Sequence, residues 1–254
     1  METPGRDPHA AWQPSPNIDS RDGVRPTMVI LHYTGMPSAE GALSWLCDPR
    51  SKVSSHYFVF EDGRIVQSVD ENDRAWHAGV SGWHDLRNLN AASIGVEIAN
   101  PGHDHGYVDF PDVQIDAVEA LVARIMARWH IPGVNVVGHS DIAPGRKIDP
   151  GERFPWARLA RAGIGAYVSP APIEDGPSLG PGDAGEAVAR VQRGLAAAGY
   201  VLEETGRYDD RTETVVAAFQ RHHRPARVDG RADLSTLDTL DRLLGARAED
   251  LLTG

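Results

Sequence analysis

An apolar strand that delivers a histidine, followed by a constrained polar loop that ends on an aspartate, restricts this chain more than any other feature. Val134–Val137 leads into Gly138-His139-Ser140-Asp141-Ile142-Ala143-Pro144-Gly145-Arg146-Lys147-Ile148-Asp149-Pro150. A second apolar run, Thr27–Leu31, reads as a strand buried on both faces and ends on His32. Two imidazoles and one carboxylate, with a fourth position left to water, suit a catalytic zinc ion. A lone histidine after a buried strand is nonetheless more often a hydrogen-bonded structural residue. The spacing from His139 to Asp149 belongs to no self-contained metal motif, so the residues alone leave both readings open.

The 254 residues suffice for one large domain or two modest ones. A formal net charge of -11 argues against a nucleic-acid backbone as the main partner and leaves glycan or peptide polymers open. Cys47 is the single cysteine, so no intramolecular disulfide forms. Met1–Asp22 is polar and proline-rich, without a basic segment leading into an apolar one. The expectation is a cytoplasmic protein, with a cell-envelope location left open. No run approaches the eighteen or so apolar residues of a membrane helix.

Prolines make residues 1–25 an irregular arm. Ser38 is placed to cap a helix through about Leu46. His56–Phe60 and Ile65–Val69 form strands joined by the Asp62-Gly63 turn. Ala75–Asn90, with Trp76, His77, Trp83 and His84, reads as a long aromatic loop of the kind that walls a cleft. Ser93–Ala99 is a strand with Ile94, Val96 and Ile98 on one face and Gly95 and Glu97 on the other. A long helix starts near Asp112, with Val113, Ala117, Ala120, Leu121, Ile125 and Trp129 near helical spacing, and stops at Pro132-Gly133. Strands mixed with helices predict an α/β domain over residues 26–167. A Pro/Gly/Ser-rich linker, 168–182, precedes a small three-helix bundle over 183–247.

The first domain resembles the type-2 N-acetylmuramoyl-L-alanine amidases, related to peptidoglycan-recognition proteins. The resemblance rests on five dispersed motifs: Ile30-Leu31-His32-Tyr33-Thr34, Val53-Ser54-Ser55-His56-Tyr57, Trp76-His77-Ala78-Gly79, Ser93-Ile94-Gly95-Val96-Glu97 and the run Gly138–Pro150. It implies a central mixed β-sheet flanked by helices and one Zn2+ held by His32, His139 and Asp149. It also implies cleavage of the amide between (anhydro-)N-acetylmuramic acid and L-alanine. The catalytic glutamate of the family falls on Glu97, a charged residue in an otherwise apolar strand, as general base. Lys147, two residues before Asp149, is placed to stabilise an oxyanion.

Some relatives carry a tyrosine immediately before the histidine of the second motif. Ser55 fills that slot here, which is similar to the bacterial anhydro-muropeptide and outer-membrane amidase branch, and Tyr57 does not inherit the role. His56, Trp76, His77 and Arg146 are weaker candidates for the substrate groove. The C-terminal segment resembles a small peptidoglycan-binding domain through Gly185-Glu186-Ala187-Val188, Gly206-Arg207-Tyr208-Asp209 and Ala218-Phe219-Gln220. Its polar Gln192, Arg207, Asp209 and Gln220 either line a shallow groove or cap helices and turns. The expected partner is peptidoglycan or its anhydro-muropeptide fragments. The competing reading is a peptidoglycan-binding protein without catalysis.

Overall fold

The computed structural model describes residues 5–253, with side chains as far as Ala246; Met1–Pro4 of the arm lie outside the described residues. In chain order the elements are β1 (Ala11–Trp12), β2 (Ile18–Ser20), β3 (Met28–Tyr33), α1 (Ala39–Leu46), β4 (Tyr57–Val59), β5 (Ile65–Gln67) and β6 (Asp73–Ala75). They continue with β7 (Gly82–Trp83), β8 (Leu86–Arg87), α2 (Leu89–Ala92), β9 (Ser93–Ile98), α3 (Asp112–Trp129), β10 (Val136–Gly138), α4 (His139–Ile142) and α5 (Trp156–Arg161). The last are β11 (Ser178–Leu179), α6 (Glu186–Ala197), α7 (Asp210–His223), β12 (Ala232–Asp233) and α8 (Leu234–Thr253). None of the described helices is long and apolar enough to cross a membrane.

The main sheet runs β1-β5-β4-β9-β3-β10 and is mixed: β4 and β5 are antiparallel, while β4, β9, β3 and β10 lie parallel. Parallel strands need cover on both faces, and alternation along β3 and β9 sorts their residues accordingly. Val29, Leu31, Ile94, Val96 and Ile98 pack against α3. The buried stripe of α3 is Ile115, Val118, Leu121, Val122, Ile125 and Trp129. Val113 and Ala120, expected on that stripe, are exposed. Leu121, Ile125 and Trp129 fall on the stripe as expected, and Ile115, Val118 and Val122 complete it. His130, in the left-handed region, ends the helix and returns its N–H to Met126.

The opposite face carries Met28, Ile30 and Val137, with α4 packed on β3 and β10 and the helical module packed in turn on α4. They share one apolar cluster with Trp83, Leu89 and Ile142, and with Val188, Leu195, Tyr200, Val215 and Phe219 of the helical module. Farther along the sheet, α1 covers Phe58 and Val66. Its N-terminus is capped as expected, Ser38 Oγ accepting from Gly41 N–H at 3.1 Å.

Two segments are more ordered than their composition implies. The arm, expected to be irregular, adds β1 parallel to β5 and pairs β2 with β6. It buries Asp7, Asn17 and Arg21, each of which has partners far along the chain. Proline forbids helix but permits such edge pairing. The segment 168–182, expected as a linker, is strapped to α8. Ala171 N–H donates to Thr239 Oγ1 at 3.0 Å, Ala171 O accepts from Ser235 at 2.7 Å, and β11 pairs with β12.

Because one apolar cluster joins the sheet to the helical module, the two should unfold together. We expect a single calorimetric transition for the full chain, with matching calorimetric and van't Hoff enthalpies. Two resolved transitions would mean that the modules are energetically separate.

Candidate metal centre

The chain ends of β3 and β10 lie side by side, since the two strands pair in parallel with Gly138 opposite Leu31. His32 and His139 therefore leave the sheet as neighbours. The loop after β10 turns back so that Ser140 N–H donates to Asp149 O at 2.8 Å, which brings the aspartate to the same point. His32 Nδ1, His139 Nδ1 and Asp149 Oδ2 are mutually 2.9–3.1 Å apart, and all three residues are buried.

These donors fit a zinc ion. Bonds of about 2.0–2.2 Å in a tetrahedral site set donors about 3.3 Å apart, a few tenths beyond the separations here. Two nitrogens and one carboxylate oxygen also match zinc's preferred ligand types. Burial, reinforced by the nearby His139, pushes the His32 imidazole down to about 4 and keeps it neutral, as a metal ligand must be. Burial alone would raise the Asp149 carboxyl. The adjoining imidazoles of His139 and His32 outweigh that and hold it below the ordinary carboxylate range.

Each imidazole is fixed from behind. With Nδ1 committed to the centre, His32 Nε2–H donates to His77 Nδ1 at 3.0 Å. His77 Nε2–H then points to Ser93 Oγ at 3.3 Å, and the Ser93 hydroxyl donates to Leu89 O at 2.5 Å. This chain of donors sets the tautomer of His32. His139 Nε2 faces Ala78 O at 3.2 Å, which does the same for the second ligand. Gly95 makes room for the relay, since a Cβ there would stand 2.5 Å from the His77 ring. Asn90 Oδ1 accepts from His77 N–H and Ala78 N–H at 3.0 and 2.7 Å and holds the loop in register.

Glu97 lies directly beside His32 in the parallel register of β3 and β9, hence on the same sheet face. Its Oε2 is buried with no hydrogen-bond partner among the described residues. Desolvation, with the Asp149 charge nearby, pushes its carboxyl well above the ordinary range, while Lys147 pulls the other way. Glu97, Lys147 and the three donors line one cavity of about 490 Å³, together with Trp76, His77 and Arg146.

The weaker groove candidates divide. Trp76 walls the cavity with its indole N–H on Asp19 at 2.7 Å. Arg146 sits at the rim, bonded to Ala78 O and Val80 O at 2.6 and 2.8 Å. His77 reaches the cavity, but its ring nitrogens are used in orienting His32. His56, named as a groove residue, does not line the cavity. It is fully buried beneath it, where Nδ1 accepts from Gly95 N–H at 2.9 Å and Nε2 meets Asp73 O and Arg21. Burial and the Arg21 charge hold its imidazole well below its usual value. The sequence reading did not anticipate Tyr33, Trp45 and Asp104 on the same walls. Tyr33 lies in the Ile30–Thr34 motif beside His32, whereas Trp45 and Asp104 come from separate elements with no local signature.

A His/His/Asp centre beside parallel strand ends, with a desolvated carboxylate alongside, has the make-up of a hydrolytic zinc site on a mixed sheet. The family described as N-acetylmuramoyl-L-alanine amidase matches residues 22–152, and a putative peptidoglycan binding domain matches 184–240. The chain is 37% identical to the N-acetylmuramoyl-L-alanine amidase AmiD of Escherichia coli K12, over 88% of this chain and 84% of that protein. It is 34% identical to the 1,6-anhydro-N-acetylmuramyl-L-alanine amidase AmpD of Citrobacter freundii, over 58% of this chain and 86% of AmpD. Its fold is similar to E. coli AmiD in complex with the substrate anhydro-N-acetylmuramic acid-L-Ala-D-γ-Glu-L-Lys (TM-score 0.73, 34% identity, 95% of this chain and 93% of the other). It is also similar to AMPDH3 of Pseudomonas aeruginosa (TM-score 0.68, 33% identity, 96% and 98%). The chain belongs to the N-acetylmuramoyl-L-alanine amidase family.

The relay behind His32 can be tested away from the ligands. Gly95→Ala should displace His77 and weaken zinc binding by about 10- to 100-fold, read by chelator competition. Unchanged zinc affinity would show that His77 does not orient the ligand.

Proposed function

We propose that the chain hydrolyses the amide joining the lactyl carbonyl of (anhydro-)N-acetylmuramic acid to L-alanine, with Glu97 as general base and Lys147 as oxyanion stabiliser. The observation that carries this reading is the unpartnered, desolvated Glu97 carboxylate beside His32, facing the same cavity as the three donors. An amide is a poor electrophile, and zinc held by His32, His139 and Asp149 would supply a more acidic water and polarise the carbonyl.

The remaining work falls to side chains of this chain. Glu97 takes a proton from the attacking water as the new C–O bond forms. It then delivers that proton to the alanine nitrogen as the C–N bond breaks. The products are a lactyl carboxylate and a stem peptide with a free amine. The Lys147 ammonium, on the cavity wall near Asp149, offsets negative charge on the carbonyl oxygen. Trp45 and Trp76, on the cavity wall, offer apolar surface to sugar or peptide. E. coli AmiD, with its bound anhydro-muropeptide, and AmpD, named for the 1,6-anhydro sugar, support a soluble anhydro-muropeptide as substrate. The C-terminal module supports action on the polymer as well, through tethering.

Mass spectrometry of products from 1,6-anhydro-muropeptide and from intact sacculi, each with and without chelator, tests the proposal. We expect free stem peptide from the soluble substrate, abolished by chelation and restored by zinc. Absence of zinc-dependent release from both substrates would overturn it. The pH profile tests the base. A carboxyl held above its usual range is ionised, and able to accept a proton, only above that raised value. Activity should therefore fall with acidification at a higher pH than an ordinary glutamate would give. Glu97→Gln should lose about 10²–10⁴-fold in kcat while keeping its zinc. Full activity of the Gln variant would exclude Glu97 as the base.

A further inference from the structure

We infer that the C-terminal helical module is part of the catalytic apparatus, because Tyr200 and His222 are positioning residues for the turn that carries the ligand His139. The inference rests on the metal-dependent reading of the site above.

Asp141 is the hinge of this arrangement. It lies two residues beyond His139 in α4, with its side chain fully out of water. Its Oδ2 accepts from Gly138 N–H at 2.7 Å, closing the first turn of α4 and fixing the backbone that aims His139. The other donors to this carboxylate come from the helical module. Tyr200 O–H donates to Oδ1 at 2.8 Å, and His222 Nδ1–H donates to Oδ2 at 2.7 Å. A buried carboxylate without enough donors is costly, so Asp141 keeps this position only while the module supplies them.

The two donors are themselves held rigidly. His222 is sandwiched between Trp156 of the catalytic domain at 3.8 Å and His223 at 4.0 Å, with rings nearly parallel. Tyr200 packs edge-on against Trp83, ring centroids 5.1 Å apart. Gly199, at φ +115°, lets the chain pass under that indole, where a Cβ would be 2.5 Å away. The module grips the same ligand loop at two further points. Arg211 donates to Pro144 O at 3.1 Å, and Thr214 lies against Gly145. The loop from His139 to Asp149 is thus pinned from inside by Ser140 N–H on Asp149 O and from outside by α7 and the segment before it. Within the module the hydrogen bonds of Gln192 and Gln220 close turns and that of Asp209 caps α7, whereas Tyr200 and His222 face the metal domain.

The test uses the full chain and substitutions that keep shape while removing one donor. Tyr200→Phe retains the ring, His222→Phe retains the stack on Trp156, and His222→Asn retains a donor near the Nδ1 position. Zinc affinity by chelator competition, the visible spectrum of the cobalt-substituted protein, and kcat and KM on soluble anhydro-muropeptide are measured together. Val216→Ala, in the module core and without a side chain that could bond Asp141, controls for loss of stability alone. We expect Tyr200→Phe and His222→Phe each to weaken metal binding by about tenfold or more, shift the cobalt spectrum and lower kcat with little change in KM. His222→Asn should recover most of the loss, and Val216→Ala should lower only the melting temperature. If Tyr200→Phe and His222→Phe lower the melting temperature but leave metal affinity, spectrum and kcat at wild-type values, the module only packs and the inference fails. A wild-type protein that binds zinc but hydrolyses nothing would fail the proposed function instead, with the metal-affinity and spectral comparison still deciding the positioning role.

Discussion

Two imidazole nitrogens and a carboxylate oxygen, drawn within 3.1 Å of one another in a buried pocket, are the constraint around which the rest of the molecule is arranged. Lone pairs so close need a cation or a shared proton among them, and neutral His32 with ionised Asp149 is the protonation pattern a metal requires. Their positions follow from backbone pairing more than from side-chain contacts. The parallel register of β3 with β10 sets the two histidines abreast, and that of β3 with β9 sets Glu97 beside His32. Surrounding residues then fix what the strands leave loose: His77, Ser93 and Gly95 behind one ligand, Ala78 and Asp141 behind the other.

That second support ties the site to the far end of the chain. The apolar cluster on the sheet face of Met28, Ile30 and Val137 continues through α4 into α6 and α7. The same helices place Tyr200 and His222 on Asp141. Burial and hydrogen bonding thus act at one interface. Apolar packing supplies most of the attraction there, and the Asp141 hydrogen bonds determine its geometry.

Much of this was legible in the sequence where local pattern suffices. The apolar runs before His32 and His139 gave the two strands that carry them, and the alternation Ile94, Val96, Ile98 put Glu97 on the opposite face. Ser38 marked the start of α1. The three ligands themselves needed the family resemblance, because their spacing spans three separate segments. What stayed hidden depends on long-range partners. His56 and His77 look alike beside aromatic residues, yet one is a buried support and the other orients a ligand. The proline-rich arm and the connector before α6 read as irregular, since edge pairing and side-chain straps leave no periodicity. Gln192 and Gln220 could have been groove residues. Only the fold shows their amides spent on the turns at 205–207 and 229–231.

The measurement that bears most directly on the metal centre is zinc content by elemental analysis, made on the zinc-loaded, exhaustively dialysed chain and on His32→Ala, His139→Ala and Asp149→Ala. One zinc per wild-type chain, with each variant largely empty while retaining the wild-type circular dichroism, is the expected result. Wild-type protein that retains no zinc, or folded variants that retain it in full, would contradict the assignment of these three residues as its ligands.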